Sequence, residues 1–395
     1  MSVSGFPSSL MDAKDANMLD SIAHEPFDFL KGKSVVVTGA TGFIGGWLSA
    51  ALVRLGARVS AWGRSPFHAE CPMALLGIDG VAPCAVDVTD SDEVARVVDF
   101  AEPDLVVHLA AQTSVRHCLK DPRGAFQTNA IGTLNVLEAV RTCRGVPRII
   151  VCSSHMALRE TCLSDFRALD EYELPCSCDP YGTSKAAAEL FARCYAQTCL
   201  AGDNRVAVVR FANAFGFGDR LEDRVVQRFV KAAKESGRIE LGWRCNGRQF
   251  IYVTDLVRGL LCVAERLLSP PSGRDSSHSA PATKPLVYHF AVEQYEDPRY
   301  PFIRMDSLAY QVGVLSGAHV DARLAQDYAP GEREVQALSC QHTRKALGWD
   351  PRVSLAEGIR RLLEWHEAKA FPRAHAHAGM VSLMRAEVES ILRMR

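Results

Sequence analysis

The stretch Gly39-Ala40-Thr41-Gly42-Phe43-Ile44-Gly45 decides the fold, because a strand pattern precedes it and a helix pattern follows it. Residues 34–38 (SVVVT) form a short β-branched run typical of a fully buried parallel strand. Residues 42–55 carry apolar side chains at helical spacing. Glycines at such a strand–turn–helix junction let backbone amides approach a pyrophosphate. The sequence therefore predicts a dinucleotide site formed by Gly39, Thr41, Gly42, Phe43, Ile44 and Gly45.

Strands and helices alternate outward from this turn. Further strands are predicted at 58–62, 81–86, 105–109 and 148–152, and helices at 90–100 and 126–144. This alternation predicts an α/β fold: a Rossmann-type doubly wound parallel sheet covered by helices on both faces. The alternation decays after residue 215, which predicts a smaller C-terminal α/β substrate lobe.

Four segments follow from this organisation. We expect an N-terminal extension (1–30), an NAD(P)-binding Rossmann domain (31–215) to which parts of the later chain return, a substrate-binding lobe (216–370) and a helical tail (371–395). The tail carries Leu383, Val388, Ile391 and Leu392 as an apolar face, and cap, partner helix and dimer contact are its open roles. Residues 269–284 and 373–378 are predicted loose loops.

Composition excludes several partner classes. The 395 residues include 48% hydrophobic and 23% charged residues with a net charge of -1, so no global field attracts nucleic acid or an acidic membrane. No segment has the apolar pattern of a secretory signal or a membrane span, which predicts a cytoplasmic protein. The 13 cysteines are scattered, and the close pair Cys176 and Cys178 has no second pair to complete a zinc site. We therefore predict reduced thiols and no metal centre.

The residues after the second and third strands bear on the cofactor. The second strand ends in Gly63-Arg64-Ser65, with no acid to bind an adenosine ribose 2′-hydroxyl or repel a 2′-phosphate. Arg64 is suited to a bidentate phosphate contact, so NADP is favoured and NAD is the alternative. Arg64 stacked on adenine or facing solvent is the other interpretation. Asp87-Val88 is placed to meet the adenine edge.

Tyr181 and Lys185 (YGTSK) form the strongest chemical signal. Their spacing of four puts both side chains on one helix face. A neighbouring ammonium favours the phenolate, so Tyr181 can act as a base at a carbinol oxygen. Ser154 ends the preceding strand, where its hydroxyl can hydrogen-bond the same oxygen. Lys185 can also hold a nicotinamide ribose.

These motifs, in this order, resemble the extended short-chain dehydrogenase/reductase family (NAD-dependent epimerase/dehydratase) over residues 32–370. More narrowly, the sequence is similar to CDP-glucose 4,6-dehydratases and their relatives. The resemblance rests on 108–112 (HLAAQ), 114–116 (SVR), 128–133 (TNAIGT), 179–181 (DPY), 210–213 (RFAN), 223–226 (DRVV), 247–255 (GRQFIYVTD) and 347–351 (LGWDP).

The resemblance implies further roles by position. It implies a cofactor lining from Leu109, Ala110, Ala111 and Gln112, with Asn129 supporting the site. It implies substrate contacts from Ser114, Asn213, Arg224 and Arg248, the last two on the diphosphate and nucleotide. It also implies a nucleotide-sugar substrate, with CDP favoured, and a homodimer formed through the helices that bear Tyr181 and those near Asn129.

One departure from the family pattern puts the reaction in question. Family dehydratases place an acid and a base directly after the serine or threonine, whereas Ser154 is followed by His155-Met156. Met156 cannot transfer a proton, and His155 is either a proton shuttle or a locally bonded side chain. A dehydratase with this altered loop stands first, close to an epimerase, followed by a decarboxylase and a simple ketoreductase. The non-enzyme alternative is a nucleotide-sensing scaffold protein, which would have no need of an activated phenol.

Overall fold

The computed structural model describes residues 27–78, 81, 83–200, 204–221, 224–241, 246–269, 286–295, 300–324, 333–370 and 373–392. Within these residues the strands are β1 (Ser34–Thr38), β2 (Arg58–Trp62), β3 (Leu105–His108), β4 (Arg148–Cys152), β5 (Val206–Phe211), β6 (Asn213–Phe215), β7 (Arg238–Leu241), β8 (Gly247–Arg248), β9 (Phe250–Tyr252), β10 (Leu286–Phe290), β11 (Ile303–Arg304), β12 (Asp321–Leu324) and β13 (Val335–Gln336).

The helices of the same residues cover the sheet and the later lobe. They are α1 (Phe43–Arg54), α2 (Pro72–Leu75), α3 (Ser91–Ala101), α4 (Val115–Lys120), α5 (Pro122–Phe126), α6 (Gly132–Thr142), α7 (Pro180–Cys194), α8 (Val225–Glu235), α9 (Val253–Leu268), α10 (Met305–Ser316), α11 (Gln341–Leu347), α12 (Leu355–Ala370) and α13 (Arg373–Leu392). Short 3-10 turns lie at Asp28–Leu30, His155–Ala157 and Leu163–Asp165, and π turns lie at Gln127–Ile131 and Tyr195–Cys199.

The central sheet is parallel, in the order β2-β1-β3-β4-β5-β10. Its strand order reverses at β1, where Thr38 is in register with Trp62 on one side and His108 on the other. Ligands of doubly wound folds bind outside the carboxyl ends of the strands at such a reversal. The predicted fold class is confirmed, and the switch point coincides with the glycine turn that follows β1.

Alternation along each strand produces two cores. Val35 and Val37 pack on the face covered by α1 and α9, whereas Val36 packs on the face covered by α3 and α6. Successive strand side chains point to opposite faces, so an unbroken apolar strand is buried on both sides. This burial explains why β1 carries the run SVVVT.

Two predicted elements differ in the structure. The strand predicted at 81–86 is wrong: of its described residues only Cys84 pairs, through a single bridge to Trp62. The helix predicted at 126–144 is broken by the π turn Gln127–Ile131, which separates α5 from α6. The Thr133 hydroxyl in α6 donates to the carbonyl of Asn129 in that turn at 2.6 Å, so a side chain adds a hydrogen bond to the widened backbone turn.

The chain after residue 215 contributes to both lobes. β10 returns to the edge of the central sheet beside β5, and α9 packs on the same sheet. The remaining strands pair outside that sheet, as β6 with β9, β8 with β11 and β13, and β7 with β12. Among these elements, β6, β8, β9, β13 and α8 contribute residues to the far wall of the cavity described below.

The tail helix packs against helices on the Rossmann side. α13 packs against α12, α9, α1 and α2, with Met384, Val388 and Ile391 buried. Residues 373–378, a predicted loose loop, belong to this helix, so that prediction is wrong. The other predicted loop, 269–284, lies outside the described residues except at its first position, as does nearly all of the predicted N-terminal extension.

Candidate active site

A cavity of about 850 Å³ opens at the carboxyl ends of β1, β3 and β4. Its walls come from the glycine turn, the ends of the sheet strands, α7 and the segments after residue 215. The predicted site residues that line it are Gly39, Thr41, Gly42, Phe43, Ile44, Gly45, Arg64, Ser65, Asp87, Val88, Leu109, Ala110, Ala111, Ser114, Ser154, His155, Tyr181, Lys185, Asn213, Arg224 and Arg248. Gln112 and Asn129 do not line it.

The glycine turn has the geometry of a dinucleotide cradle. Gly39 has a φ of +68°, and a Cβ there would lie 2.8 Å from the Ala110 backbone nitrogen. A Cβ on Gly45 would lie 2.2 Å from the Gly39 carbonyl oxygen. Both positions therefore exclude a side chain and keep the start of α1 open to a ligand. This cradle fits the pyrophosphate of a nicotinamide dinucleotide.

The predicted adenine end of the cavity combines an arginine with an acid. Arg64 is exposed on the cavity wall. The Asp87 carboxylate accepts from the amide of Thr89 at 3.0 Å and from its hydroxyl at 2.8 Å. These bonds and the charge of Arg64 lower the pKa of Asp87. A Cβ at position 63 would lie 2.4 Å from the Thr41 hydroxyl, so a side chain here would force the Thr41 side chain to move.

Asn129 acts one layer behind the cavity. Its Oδ1 accepts from the Gln112 amide at 2.7 Å, and its Nδ2 donates to the Gln112 carbonyl at 3.0 Å and to the Ser184 hydroxyl at 2.9 Å. Ser184 in turn donates to the Tyr181 carbonyl at 2.7 Å. Asn129 therefore fastens the loop after β3 to the first turn of α7, which agrees with a supporting role rather than a direct cofactor contact.

Ser154 and Tyr181 meet at the reacting end. The Ser154 hydroxyl accepts from the Met156 amide at 3.1 Å and is hydrogen-bonded to the Tyr181 phenol. Burial raises the pKa of Tyr181, while that hydrogen bond and the charge of Arg224 lower it. The Ser154 oxygen accepts from the backbone and its hydroxyl hydrogen stays available, so Ser154 can donate to a Tyr181 phenolate.

Lys185 lies on the same face of α7 as Tyr181, one helical turn toward the C-terminus. Its ammonium donates to the Cys152 carbonyl at 2.8 Å, and burial lowers its pKa to about 8. Lys185 is the predicted electrostatic partner of Tyr181, but the cation that most lowers the pKa of the phenol here is Arg224. Fastened to the end of β4, Lys185 presents its remaining N–H groups at the cavity wall.

His155 is already committed to partners within the protein. Its Nδ1 lies 2.9 Å from the Phe211 carbonyl and its Nε2 lies 2.9 Å from the Gln336 side chain. Burial lowers its pKa to about 4, and the charges of Arg333 and Arg248 act in the same direction. Both partners are acceptor oxygens, so a neutral ring donates its single N–H to one of them and has none left for a substrate, which makes it a poor proton shuttle. Of the two predicted roles for His155, the structure supports the locally bonded one.

The three predicted substrate-side residues lie on the far wall. Asn213 donates from Nδ2 to the Gln249 carbonyl at 2.9 Å. Arg224 pairs with Asp219 at 3.2 Å and stands over the Phe43 ring at 5.7 Å. Arg248 donates to the carbonyls of Gly247 at 2.9 Å and Arg333 at 2.7 Å. Their backbone and ion-pair contacts fix these side chains in orientations that line the cavity.

Arg333 and Gln336 are lining residues that sequence patterns did not reveal. Both come from the segment at β13, which no motif marks. Among the described lining residues the carboxylates are Asp87 and Asp219, whereas the arginines are Arg64, Arg116, Arg220, Arg224, Arg248, Arg333 and Arg228. This charge balance suits an anionic ligand.

Two further observations concern ligands and membranes. Within the described ranges, His, Cys, Asp and Glu side chains form no group of three or more that could hold a metal ion. In the same ranges, every helix is too short or too polar to cross a bilayer.

Known proteins resemble this chain along most of its length. The model of the NAD dependent epimerase/dehydratase family matches residues 35–276, more than half of the chain. CDP-glucose 4,6-dehydratase of Salmonella typhimurium strain LT2 is 26% identical over 351 residues, which cover 86% of this chain and 92% of that protein. A probable UDP-glucuronate 4-epimerase of Rhizobium meliloti strain 1021 is 25% identical over 351 residues, covering 86% and 98%.

A solved structure shares the fold. The UDP-glucose 4-epimerase of Thermotoga maritima, crystallised with UDP-glucose, superposes with a TM-score of 0.71 at 23% identity. The match covers 85% of this chain and 99% of that one.

Proposed function

The chain belongs to the NAD dependent epimerase/dehydratase family, and on that basis we propose that it modifies a nucleotide-linked sugar by transient oxidation of one hydroxyl. Bound nicotinamide supplies a hydride acceptor that returns the hydride before product leaves. Support comes from the juxtaposition of Ser154, Tyr181 and Lys185 in a cavity beside a glycine cradle.

The residues divide the proton chemistry between them. The Tyr181 phenolate takes the proton of the sugar hydroxyl, and the Ser154 hydroxyl orients the same oxygen. Lys185 holds the cofactor ribose. Arg224 favours the phenolate by its charge, and with Arg248 and Asn213 it holds the nucleotide diphosphate at the far wall.

Among the family's reactions we propose epimerisation at the oxidised carbon. The observation that carries this choice is the local bonding of His155, together with the positions of the two carboxylates among the described lining residues. Asp87 lies at the adenine end and Asp219 is paired with Arg224, so neither serves elimination of a hydroxyl. Epimerisation needs oxidation, rotation of the ketone and return of the hydride, and it uses no acid beside Ser154.

A dehydratase is the second candidate because the Salmonella enzyme matches this chain over nearly its whole length. The deciding experiment incubates purified protein and NAD or NADP in heavy water with CDP-, UDP- and dTDP-glucose and UDP-glucuronate. An epimer of unchanged mass supports the proposal. Loss of water with solvent deuterium incorporated identifies a dehydratase instead, and loss of carbon dioxide from the uronic acid identifies a decarboxylase.

Two controls complete the experiment. The turnover rate of the Tyr181→Phe variant should be about 10²–10⁴-fold lower than that of the wild type. A scaffold protein would show no turnover in either form, and the substitution would leave its ligand binding unchanged. Cofactor consumed in proportion to product identifies a simple ketoreductase, because a returning hydride leaves the cofactor pool unchanged.

The proposal extends to cofactor form, nucleotide and assembly. NADP is favoured because the 63–65 loop has no acid and Arg64 lies on the cavity wall. The similarity to a CDP-sugar enzyme favours CDP. A homodimer through α7 and the helices near Asn129 is supported by two exposed apolar side chains, Leu190 on α7 and Ile131 in the π turn that contains Asn129.

A further inference from the structure

Arg333 is a buried cation that reaches from the later lobe into the catalytic one. It precedes β13, and its residue is 4% exposed. Its guanidinium donates to the carbonyls of Leu158 at 2.6 Å and Met156 at 2.9 Å. It also donates to the Ser177 hydroxyl at 2.6 Å and to the Asp179 carboxylate at 2.7 Å.

These four acceptors belong to two segments that meet at the reacting end. Met156 and Leu158 lie in the turn that directly follows Ser154. Asp179 is the N-cap of α7, the helix that bears Tyr181, and its carboxylate accepts from the Gly182 amide at 2.8 Å. The planar guanidinium of Arg333 therefore joins the turn after Ser154 to the N-terminus of α7, which bears Tyr181.

Neighbours of Arg333 strengthen the same junction. Gln336 contacts His155 at 2.9 Å and donates to the Met156 sulfur at 2.7 Å. The Val335 amide donates to the Thr161 carbonyl at 3.3 Å, and the Thr161 hydroxyl donates back to the Val335 carbonyl at 3.2 Å. Residues 333–336 are thus hydrogen-bonded to several positions of the segment 155–161 that follows Ser154.

We propose that Arg333 is a positioning residue that sets the separation of Ser154 and Tyr181 by tying the turn after one to the helix cap before the other. It touches neither reacting group. Its effect passes through Met156, Leu158 and Asp179, and it makes the catalytic geometry depend on a segment of the later lobe.

A charge effect accompanies the geometric one. The groups that act on the Tyr181 phenol are Ser154 and Arg224, which lower its pKa, and Cys118 and Asp179, which raise it. Arg333 pairs with the Asp179 carboxylate and so offsets its charge. Losing Arg333 would leave that carboxylate buried without its cation, a costly arrangement that also disfavours the phenolate.

The kinetic measurements on Arg333 variants depend on the proposed function, whereas the stability and hydrogen-exchange measurements do not. The variants are Arg333→Met, Arg333→Lys, Asp179→Asn and the double variant Arg333→Met/Asp179→Asn. The matched control is Arg258→Met, because Arg258 is equally buried and pairs with Asp255 at 2.6 Å away from the cavity. Melting temperatures report the general loss of stability in each variant.

In the kinetic part, Arg333→Met should lower kcat by roughly 10–100-fold with little change in KM, as expected for misplaced reacting groups. The rising limb of its pH profile, which reports formation of the Tyr181 phenolate, should move to higher pH. Adding Asp179→Asn to Arg333→Met should return the limb to its wild-type pH without restoring kcat. Arg333→Lys should leave the limb at its wild-type pH and should retain only part of the wild-type kcat. A kcat loss no greater than that of Arg258→Met, or additive effects in the double variant, overturns the proposal.

Hydrogen exchange gives a second measurement that needs no substrate. Arg333→Met should speed exchange of backbone amides in 156–161 and 180–185, and Arg258→Met should leave both segments unchanged. Unchanged exchange in these segments overturns the positioning role. If no sugar of the panel reacts with the wild-type protein, the proposed function fails while the exchange result still decides the role of Arg333.

Discussion

The Thr133 hydroxyl lies 3.0 Å from Nε2 of His108, and it donates its only hydrogen to the Asn129 carbonyl at 2.6 Å. Toward the ring it can therefore only accept, which places the imidazole proton on Nε2. Nδ1 is then an acceptor for the Thr38 hydroxyl 2.8 Å away. The Thr38 oxygen in turn accepts from the amides of Leu109 and Ala110, both at 3.1 Å. This directed chain holds the cavity floor at the end of β3.

Acid should destabilise the protein through its buried neutral histidines. Burial lowers the pKa of His108 to about 3 and that of His155 to about 4, from 6.5 in the unfolded chain. Below pH 6.5 the unfolded state binds more protons, so stability present above that pH is lost as pH falls toward 4. The expected loss is about 1.4 kcal/mol per pH unit and histidine, measured by urea unfolding at pH 7, 6 and 5. His108→Gln should reduce the slope; an identical slope would contradict the assignment.

Asn129→Asp keeps the shape of the side chain and removes its donors. The carboxylate would face the Gln112 carbonyl and the Ser184 hydroxyl, which is already committed as a donor to the Tyr181 carbonyl. We expect a loss of about 1–3 kcal/mol in unfolding free energy and a lower kcat. Asn135→Asp is the matched control, because it removes one donation to the Val88 carbonyl away from α7. Equal losses of kcat in both variants would refute the supporting role of Asn129.

Gly45→Ala should abolish dinucleotide binding. The new Cβ would lie 2.2 Å from the Gly39 carbonyl oxygen and 2.8 Å from the Ala40 Cα, so the turn must open. We expect a stability loss of roughly 1–3 kcal/mol and no detectable cofactor binding by calorimetry. Gly379→Ala in α13 meets only the Ala368 Cβ, at 3.5 Å, and should be neutral or stabilising by up to about 1 kcal/mol. Retained affinity in Gly45→Ala would exclude this cradle.

The rate should rise with pH as the Tyr181 phenolate forms, because burial raises the pKa of that phenol. Ser154→Ala removes a hydrogen bond that lowers this pKa, and Arg224→Met removes a charge that does the same. Both variants should shift the rising limb of kcat/KM to higher pH. Profiles between pH 6 and 10 check this, and a limb that stays at its wild-type position in both variants would remove Tyr181 as the titrating base.

Arg64→Ala distinguishes a phosphate contact from adenine stacking. A lost bidentate contact to a 2′-phosphate should weaken NADP about tenfold or more and leave NAD nearly unchanged. Stacking on adenine would instead weaken both dinucleotides equally. Dissociation constants for the two cofactors, measured for the wild type and the variant, decide between these roles, and a wild type that binds NAD more tightly than NADP would reject the NADP preference.

Local patterns in the sequence determined the glycine cradle, the β1, β2 and β4 strands and the placement of Tyr181 and Lys185 one turn apart on α7. These features depend on residues within a few positions of one another, where backbone sterics and side-chain periodicity act directly. The strand predicted at 81–86 failed because residues at a sheet edge are held by neighbours rather than by propensity, and here only Cys84 pairs.

Tertiary structure alone decided what surrounds the reacting groups. His155 is locked by Phe211 and Gln336, which are 56 and 181 positions away along the chain. Arg333 reaches Asp179 across 154 positions, and no sequence pattern encodes such a contact. Hydrogen bonds of this kind form only after the sheet and the later lobe have brought their strand ends together. The family's fold and its tyrosine are thus readable from the chain, whereas the protonation and placement of the groups beside that tyrosine follow from packing.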